Sequence, residues 1–544
     1  MASAPGPGRA AIASAHQAAT DAGLEILADG GNAFDAAVAV SAALGVVEPG
    51  SSGIGGGGFW LLHRLADDFS VMIDGRETAP AAATTDMYLD ESGGVDRDLA
   101  INGPLSAGIP GAPAAWVYLA ERYGTLPLEA VLAPAIRLAE EGFAVNRQYQ
   151  ALSHLRGHVM LRWPETAAIF MPGGQVPALG TIIRQPELAE TLRHLAREGF
   201  DGFYRGPVAE KLVAGARAAG GIWTLADLAD YRVVEREVIR TRYRGYELLT
   251  AAPPSSGGIA IAQILNLIEP YDLSALSRVE KTHLLVEAMR RAYRDRALYL
   301  GDPEFVDIPT ELLLSSAYAA GLRAGIRLDR ATPSASLAAD PDLLPEGDHT
   351  THFSVMDAAG NLVSGTLTIN LAFGSGYVAP GTGVLLNNEM DDFSAAPGVP
   401  NEFGLIGFDA NEIQPGKRML SSMSPTIVKS DERIAVLGTP GGSRIITMVL
   451  LGILDFVDGN GPESWVALPR FHHQYQPDEI EVERGAFSGE EIDALESLGH
   501  VVRVRLLPWG NMHAVMWDKI ADRVQAAHDP RWDSGAAEVR DFRR

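Results

Sequence analysis

The 544-residue sequence predicts an α+β protein. Three observations carry that class: helical periodicity recurs before residue 330, a strand pair follows residue 350, and glycine-dense loops break up both parts. At 47% hydrophobic and 21% charged, the chain is too apolar and too weakly charged to stay disordered, so a buried core is expected. The length allows several domains at roughly 150 residues each, or one large unit.

Taken in order, a helix is expected over residues 16–28, stopped by Gly30-Gly31, and a second helix of small residues over 35–44. The loop from Glu48 to Gly58 holds six glycines, which implies tight backbone, and feeds a strand at 59–63. Helices are expected over 128–142, 187–199 and 279–300, with turn-rich junctions at 220–224 and 253–258. Residues 331–347, rich in Ala, Pro, Asp and Ser without a periodic apolar face, read as a linker. Strands follow at 351–357 and 362–370 around a turn at 358–361. Pairing Asp357 with Leu362 puts Thr350 opposite Ile369, flanked by Thr368 and Asn370 on one shared face.

The net charge of −25 would repel a phosphate backbone, so nucleic-acid and anionic-membrane partners are not expected. Absence of cysteine removes disulfides, thiolate nucleophiles and Cys-ligated zinc, leaving an oxygen or an amine as any nucleophile. The apolar runs at 36–47 and 445–457 are shorter than the roughly 18 to 20 residues that cross a bilayer. Residues 1–8 lack a basic region followed by an apolar one, so no signal peptide is expected in the chain as given. That fits the cytoplasm for a complete chain, and the periplasm or exterior for a trimmed one.

The stretch Gly347-Asp348-His349-Thr350-Thr351-His352-Phe353-Ser354-Val355-Met356-Asp357 resembles the processing site of gamma-glutamyltransferases (gamma-glutamyltranspeptidases), self-cleaving N-terminal-nucleophile hydrolases. The likeness runs from Gly30-Gly31-Asn32-Ala33-Phe34-Asp35-Ala36-Ala37 to Asp529-Pro530-Arg531. It implies a four-layer αββα sandwich and cleavage between His349 and Thr350. Residues 1–349 become a large chain and 350–544 a small one, paired in a single αββα unit. An α-amino group titrates near ~8, so the new terminus of Thr350 can take the proton of its own hydroxyl. One residue then supplies nucleophile and base. The resemblance makes Thr368 the partner that holds the nucleophile and sets Thr366 close by, where a plain β-branched strand residue is an equal reading.

Four further clusters resemble the family's donor pocket. Arg76, in Asp74-Gly75-Arg76-Glu77, matches the arginine that grips the donor α-carboxylate, and Ser421 and Ser422 match hydroxyls on the same group. Asn370, Glu389 and Asp392 match the groups around the donor α-amine. Backbone N–H groups of Gly441 and Gly442 match the oxyanion hole. Residues 397–417 match a lid, where Phe403 replaces the usual tyrosine. A lid hydrogen bond is then expected to be missing, with hydrolysis gaining on transfer. Gly50, Gly75, Met419 and Thr439 also depart from the family without removing a reacting group.

The resemblance thus implies a self-processing gamma-glutamyltransferase and glutathione hydrolase. Its donors are glutathione and other γ-glutamyl compounds, its acceptors water, amino acids or peptides, and no cofactor is expected. A glutaryl or cephalosporin acylase on the same fold is the nearest rival, disfavoured because a glutaryl group offers Glu389 and Asp392 no cation. An unprocessed, non-catalytic homologue is the other. Gly53, Gly55 and Gly58 satisfy G-x-G-x-x-G, but no helix start or ribose-binding acid follows, so no dinucleotide site is expected. His472-His473 lacks the spacing of a zinc helix, and no metal is expected.

Overall fold

The computed structural model describes residues 6–337 and 350–542. Two antiparallel sheets face each other between two layers of helices. The first sheet runs Ala536–Asp541, Arg9–Ser14, Thr351–Met356, Leu362–Thr368, Gly57–Arg64, Phe69–Gly75, Val234–Arg236. The second runs Arg523–His528, His513–Asp518, Arg433–Gly438, Thr426–Lys429, Tyr246–Thr250, Ile239–Tyr243. Each sheet interleaves strands from before and after residue 350, so the two expected chains share one core.

Strand alternation sets the layers. Trp60, Leu62, Val355 and Val363 pack with the helices Gln17–Ala28 and Ala33–Val47 in one core. Their neighbours Phe59 and Leu61 turn to the second sheet, which backs onto Gly257–Ile268, Arg278–Tyr299 and Ile445–Val457. Local chemistry starts these helices. His16 caps the first through its Nδ1, and Asn32 with Asp35 forms a capping box on the second. That second helix extends to Ala33–Val47, beyond the 35–44 expected, because every one of its small residues is buried and its apolar run continues to the cap at Glu48.

The hairpin differs by one residue from expectation: Leu362 pairs with Met356, not Asp357. Asp357 leaves the strand to hold the turn, its Oδ1 accepting the N–H groups of Ala359 and Asn361, both at 2.9 Å. Gly360, at φ +85°, completes that five-residue turn. Continuing the register puts Thr350 opposite Thr368 rather than Ile369.

The linker reading also needs correction where it can be seen. Thr332 donates its N–H to buried Glu287 at 2.9 Å, Ser334 donates its N–H to Asp478 at 2.7 Å, and Ala331 donates to the Leu498 carbonyl at 2.6 Å. Residues 331–337 are therefore docked, protein acceptors having replaced solvent for three of their N–H groups. The rest of that segment lies outside the described residues, as does His349 of the expected cleavage bond.

Candidate active site

Even-numbered residues of the two central strands of the first sheet face the second. His352 Nδ1 hydrogen-bonds Thr366 Oγ1 at 2.8 Å, and Ser354 donates to the His513 carbonyl at 3.0 Å. Gly438 has no side chain to meet the His352 ring; a Cβ there would lie 2.3 Å from it. Burial holds the His352 imidazole well below its usual pKa, hence neutral. Thr350 continues this face, only 6% exposed. Thr366 is thus spent on His352, one step from the nucleophile candidate.

Thr350 lines one small pocket with Thr368, Asn370, Glu389, Asp392, Phe403, Ser421, Ser422 and Gly442, so residues scattered over the second half of the chain converge. The Thr368 hydroxyl accepts the Asn370 N–H at 2.7 Å, which helps hold Asn370 at φ +70°. Asn370 Nδ2 donates to the Asn388 carbonyl at 3.0 Å. That ties Thr368, through Asn370, to the turn carrying Glu389–Asp392.

Arg76 follows the strand Phe69–Gly75 and is fully buried. Its Nη1 donates to Glu389 and its Nη2 to Asp392, while Nε donates to the Met419 carbonyl at 3.2 Å. Glu77 lies 3.6 Å from the same guanidinium, with both oxygens buried and unbonded among the described residues. Burial works against the Arg76 charge, but Glu389, Asp392 and Glu77 raise its pKa further than burial lowers it. Burial, in turn, pushes Glu77 and Glu389 up; repulsion from Glu389 adds to it at Glu77, and repulsion from Asp392 and Asp391 at Glu389. Glu389 Oε2 is buried with no hydrogen-bond partner among the described residues. Such an oxygen has unused accepting capacity that a cationic N–H group would fill.

Ser421 and Ser422 are held from behind. The Ser421 carbonyl accepts from the N–H (2.8 Å) and hydroxyl (2.7 Å) of Ser256. Arg296 donates to Ser422 Oγ at 3.3 Å and to Ser256 Oγ at 3.0 Å. Burial lowers the Arg296 pKa to about 10, which leaves it cationic at neutral pH.

Gly441 and Gly442 stand at φ +141° and +53° in the turn before the helix Ile445–Val457. Their N–H groups have no acceptor among the described residues, as an oxyanion hole requires. A Cβ at Gly442 would lie 2.5 Å from the Phe403 ring. The segment expected to act as a lid thus packs its Phe403 ring against Gly442, with Phe403 buried. Its carbonyl accepts from Gln474 Nε2 at 3.1 Å, and Asn401 Nδ2 donates to Asp392 at 3.3 Å. These contacts hold the expected lid segment in place without a tyrosine hydroxyl. His472, set aside as a metal ligand, hydrogen-bonds Thr447 and Gln474 and so braces that same tether.

Sequence reasoning passed over Glu77, Arg296 and Asn401. Glu77 adjoins Arg76 in sequence, and the loop after the strand turns both inward. Arg296 sits on a helix buried almost all round, so its periodicity marks no face as functional.

The chain matches the family model described as gamma-glutamyltranspeptidase over residues 19–539. It is 45% identical to a glutathione hydrolase proenzyme of Pseudomonas sp. strain A14, over 97% of this chain and 93% of that one. It is 42% identical to the glutathione hydrolase proenzyme of Escherichia coli strain K12, over 96% and 90%. A crystal structure of cephalosporin acylase from Bacillus halodurans superposes with a TM-score of 0.86 at 30% identity, covering 97% and 95%. A family model spanning nearly the whole sequence, close relatives of matching length and the αββα architecture agree: the chain belongs to the gamma-glutamyltranspeptidase family, on the N-terminal-nucleophile hydrolase fold.

Proposed function

We propose that this chain is a self-processing gamma-glutamyltransferase and glutathione hydrolase whose nucleophile is the Thr350 hydroxyl. Cleavage after His349 frees the Thr350 α-amine. The amine takes the hydroxyl proton as Oγ attacks the γ-amide carbonyl, and the oxyanion formed accepts from the Gly441 and Gly442 N–H groups. The leaving amine collects the proton, and a γ-glutamyl ester remains on Thr350. Water or an acceptor amine then attacks the ester and returns the proton to Thr350.

Recognition follows from charge. The space beside Thr350 is about 20 Å³, room for little more than one water, so donor entry requires the lid and the Arg76 side chain to move. A zwitterionic head group allows an exchange of partners: its ammonium takes Glu389 and Asp392, and its carboxylate takes Arg76, Ser421 and Ser422. No buried charge is stranded at either stage. The observation that carries this reading is Glu389 Oε2, without a hydrogen-bond partner among the described residues, in the pocket of Thr350.

The experiment compares γ-glutamyl-p-nitroanilide with glutaryl-p-nitroanilide, which differs only in lacking the amine. The γ-glutamyl substrate should be preferred by at least about tenfold, one hydrogen bond to a charged group. Equal or better turnover of the glutaryl substrate makes the chain an acylase instead.

A further inference from the structure

The first ladder pair of the hairpin joins Thr351 to Leu367, which leaves Thr350 one residue beyond the paired backbone. Thr351 faces the opposite way, toward the helix layer. There its hydroxyl donates to Glu48 Oε2 at 2.6 Å. The other carboxylate oxygen accepts from Gln148 Nε2 at 2.8 Å, and Gln148 Oε1 accepts from Ser534 Oγ at 3.1 Å. Glu48 caps the C-terminal end of Ala33–Val47 and is 7% exposed.

This is an unfavourable place for a carboxylate. Burial and the negative end of the helix both oppose its charge, and burial pushes its pKa up to about 7. The hydrogen bonds to Thr351, Gln148 and Ser51 act in the other direction. Packing alone would be served by an uncharged side chain.

We propose that Glu48 is a positioning residue for the nucleophile: it latches Thr351 and thereby fixes where the Thr350 hydroxyl points once Thr350 is a chain terminus. The proposal rests on Thr350 being that nucleophile. Free termini fray unless tied down. After cleavage, covalent restraint on Thr350 comes from Thr351 alone. Glu48 and Gln148 fall in the expected large chain and Thr351 in the small one, so the hydrogen bond would become a latch between chains. Its hydroxyl lies on the face away from the donor pocket, so its loss should disturb orientation more than donor affinity.

The test uses the full-length protein with Thr351→Val, Thr351→Ser, Glu48→Gln and the Glu48→Gln/Thr351→Val double variant, read as kcat and KM for γ-glutamyl-p-nitroanilide. Thr351→Val should lower kcat about tenfold with KM within about twofold, the loss of one charge-assisted hydrogen bond expressed in orientation. Thr351→Ser, which keeps the hydroxyl, should recover most of kcat, and the double variant should be no worse than Thr351→Val. Should Thr351→Val remain uncut, the half-time of self-cleavage serves in place of kcat, with Val slower than Ser. A wild-type rate in Thr351→Val, serine no better than valine, or additive losses in the double variant overturns the latch. Unmutated protein that is neither cleaved nor active overturns the nucleophile assignment, and the latch with it.

Discussion

Arg76→Ala tests the charge balance of the pocket. The guanidinium is fully buried and faces three carboxylates, Glu389, Asp392 and Glu77, of which Glu77 has no other partner among the described residues. Removing one partner of a buried pair costs about 3 to 5 kcal/mol when the charges left behind cannot be solvated. Here protonation of Glu389 or Glu77, both already pushed upward by burial, relieves part of that cost. The protein should therefore fold. What it should lose is the exchange of partners with the donor head group, about 2 to 5 kcal/mol of transition-state binding, or roughly 30- to 5,000-fold in kcat/KM. Arg76→Lys keeps the charge but presents a single point where a fork now reaches two carboxylates, so an intermediate loss is expected. The assay is kcat/KM for γ-glutamyl-p-nitroanilide on protein shown to be cleaved and folded. A value within about threefold of the unmutated enzyme in Arg76→Ala, under half a decade and below the smallest loss worked above, refutes the reasoning.

Phe403→Tyr should leave the transfer-to-hydrolysis ratio with glycylglycine within about twofold, because ring packing on Gly442 and the Gln474 and Asn401 tethers already hold the lid. Phe403→Ala should shift products toward hydrolysis, and a large rise of the ratio in Phe403→Tyr would show that the hydroxyl controls the acceptor after all. Glu48→Gln should have a pH signature. A carboxyl raised from 4.5 to about 7 on folding stabilises the protein only while protonated, so its contribution falls as pH rises through that window, by about 3 kcal/mol in total. The melting temperature of Glu48→Gln relative to unmutated protein should rise from pH 5 to pH 8 while kcat falls; a pH-independent difference contradicts the assignment.

The parts of the fold written in local chemistry were legible. Caps at His16 and Asn32 and small-residue periodicity place two helices, and alternation places Thr366 and Thr368 on the inner face of the hairpin. Register was missed by one residue because Asp357 looks like the end of a strand, yet its carboxylate prefers the three N–H and amide donors of the turn and Asn361. The donor pocket could be expected only through family likeness, since no spacing in sequence brings Arg76 to Glu389 or Ser421 to Thr350. Arg296 and Glu48 were invisible for a common reason: each is a buried charged residue with a partner far along the chain. Glu77 adjoins its partner Arg76, but nothing in the sequence shows that both turn inward.

The central claim is that Thr350 becomes an N-terminus and acts from there. Terminal sequencing and intact mass of the purified protein test it most directly. Two chains, the smaller beginning Thr350-Thr351-His352 and both absent in Thr350→Ala, which stays a single folded and inactive chain, are the predicted result. A single chain in the active unmutated protein, a small chain with another first residue, or cleavage persisting in Thr350→Ala contradicts the account.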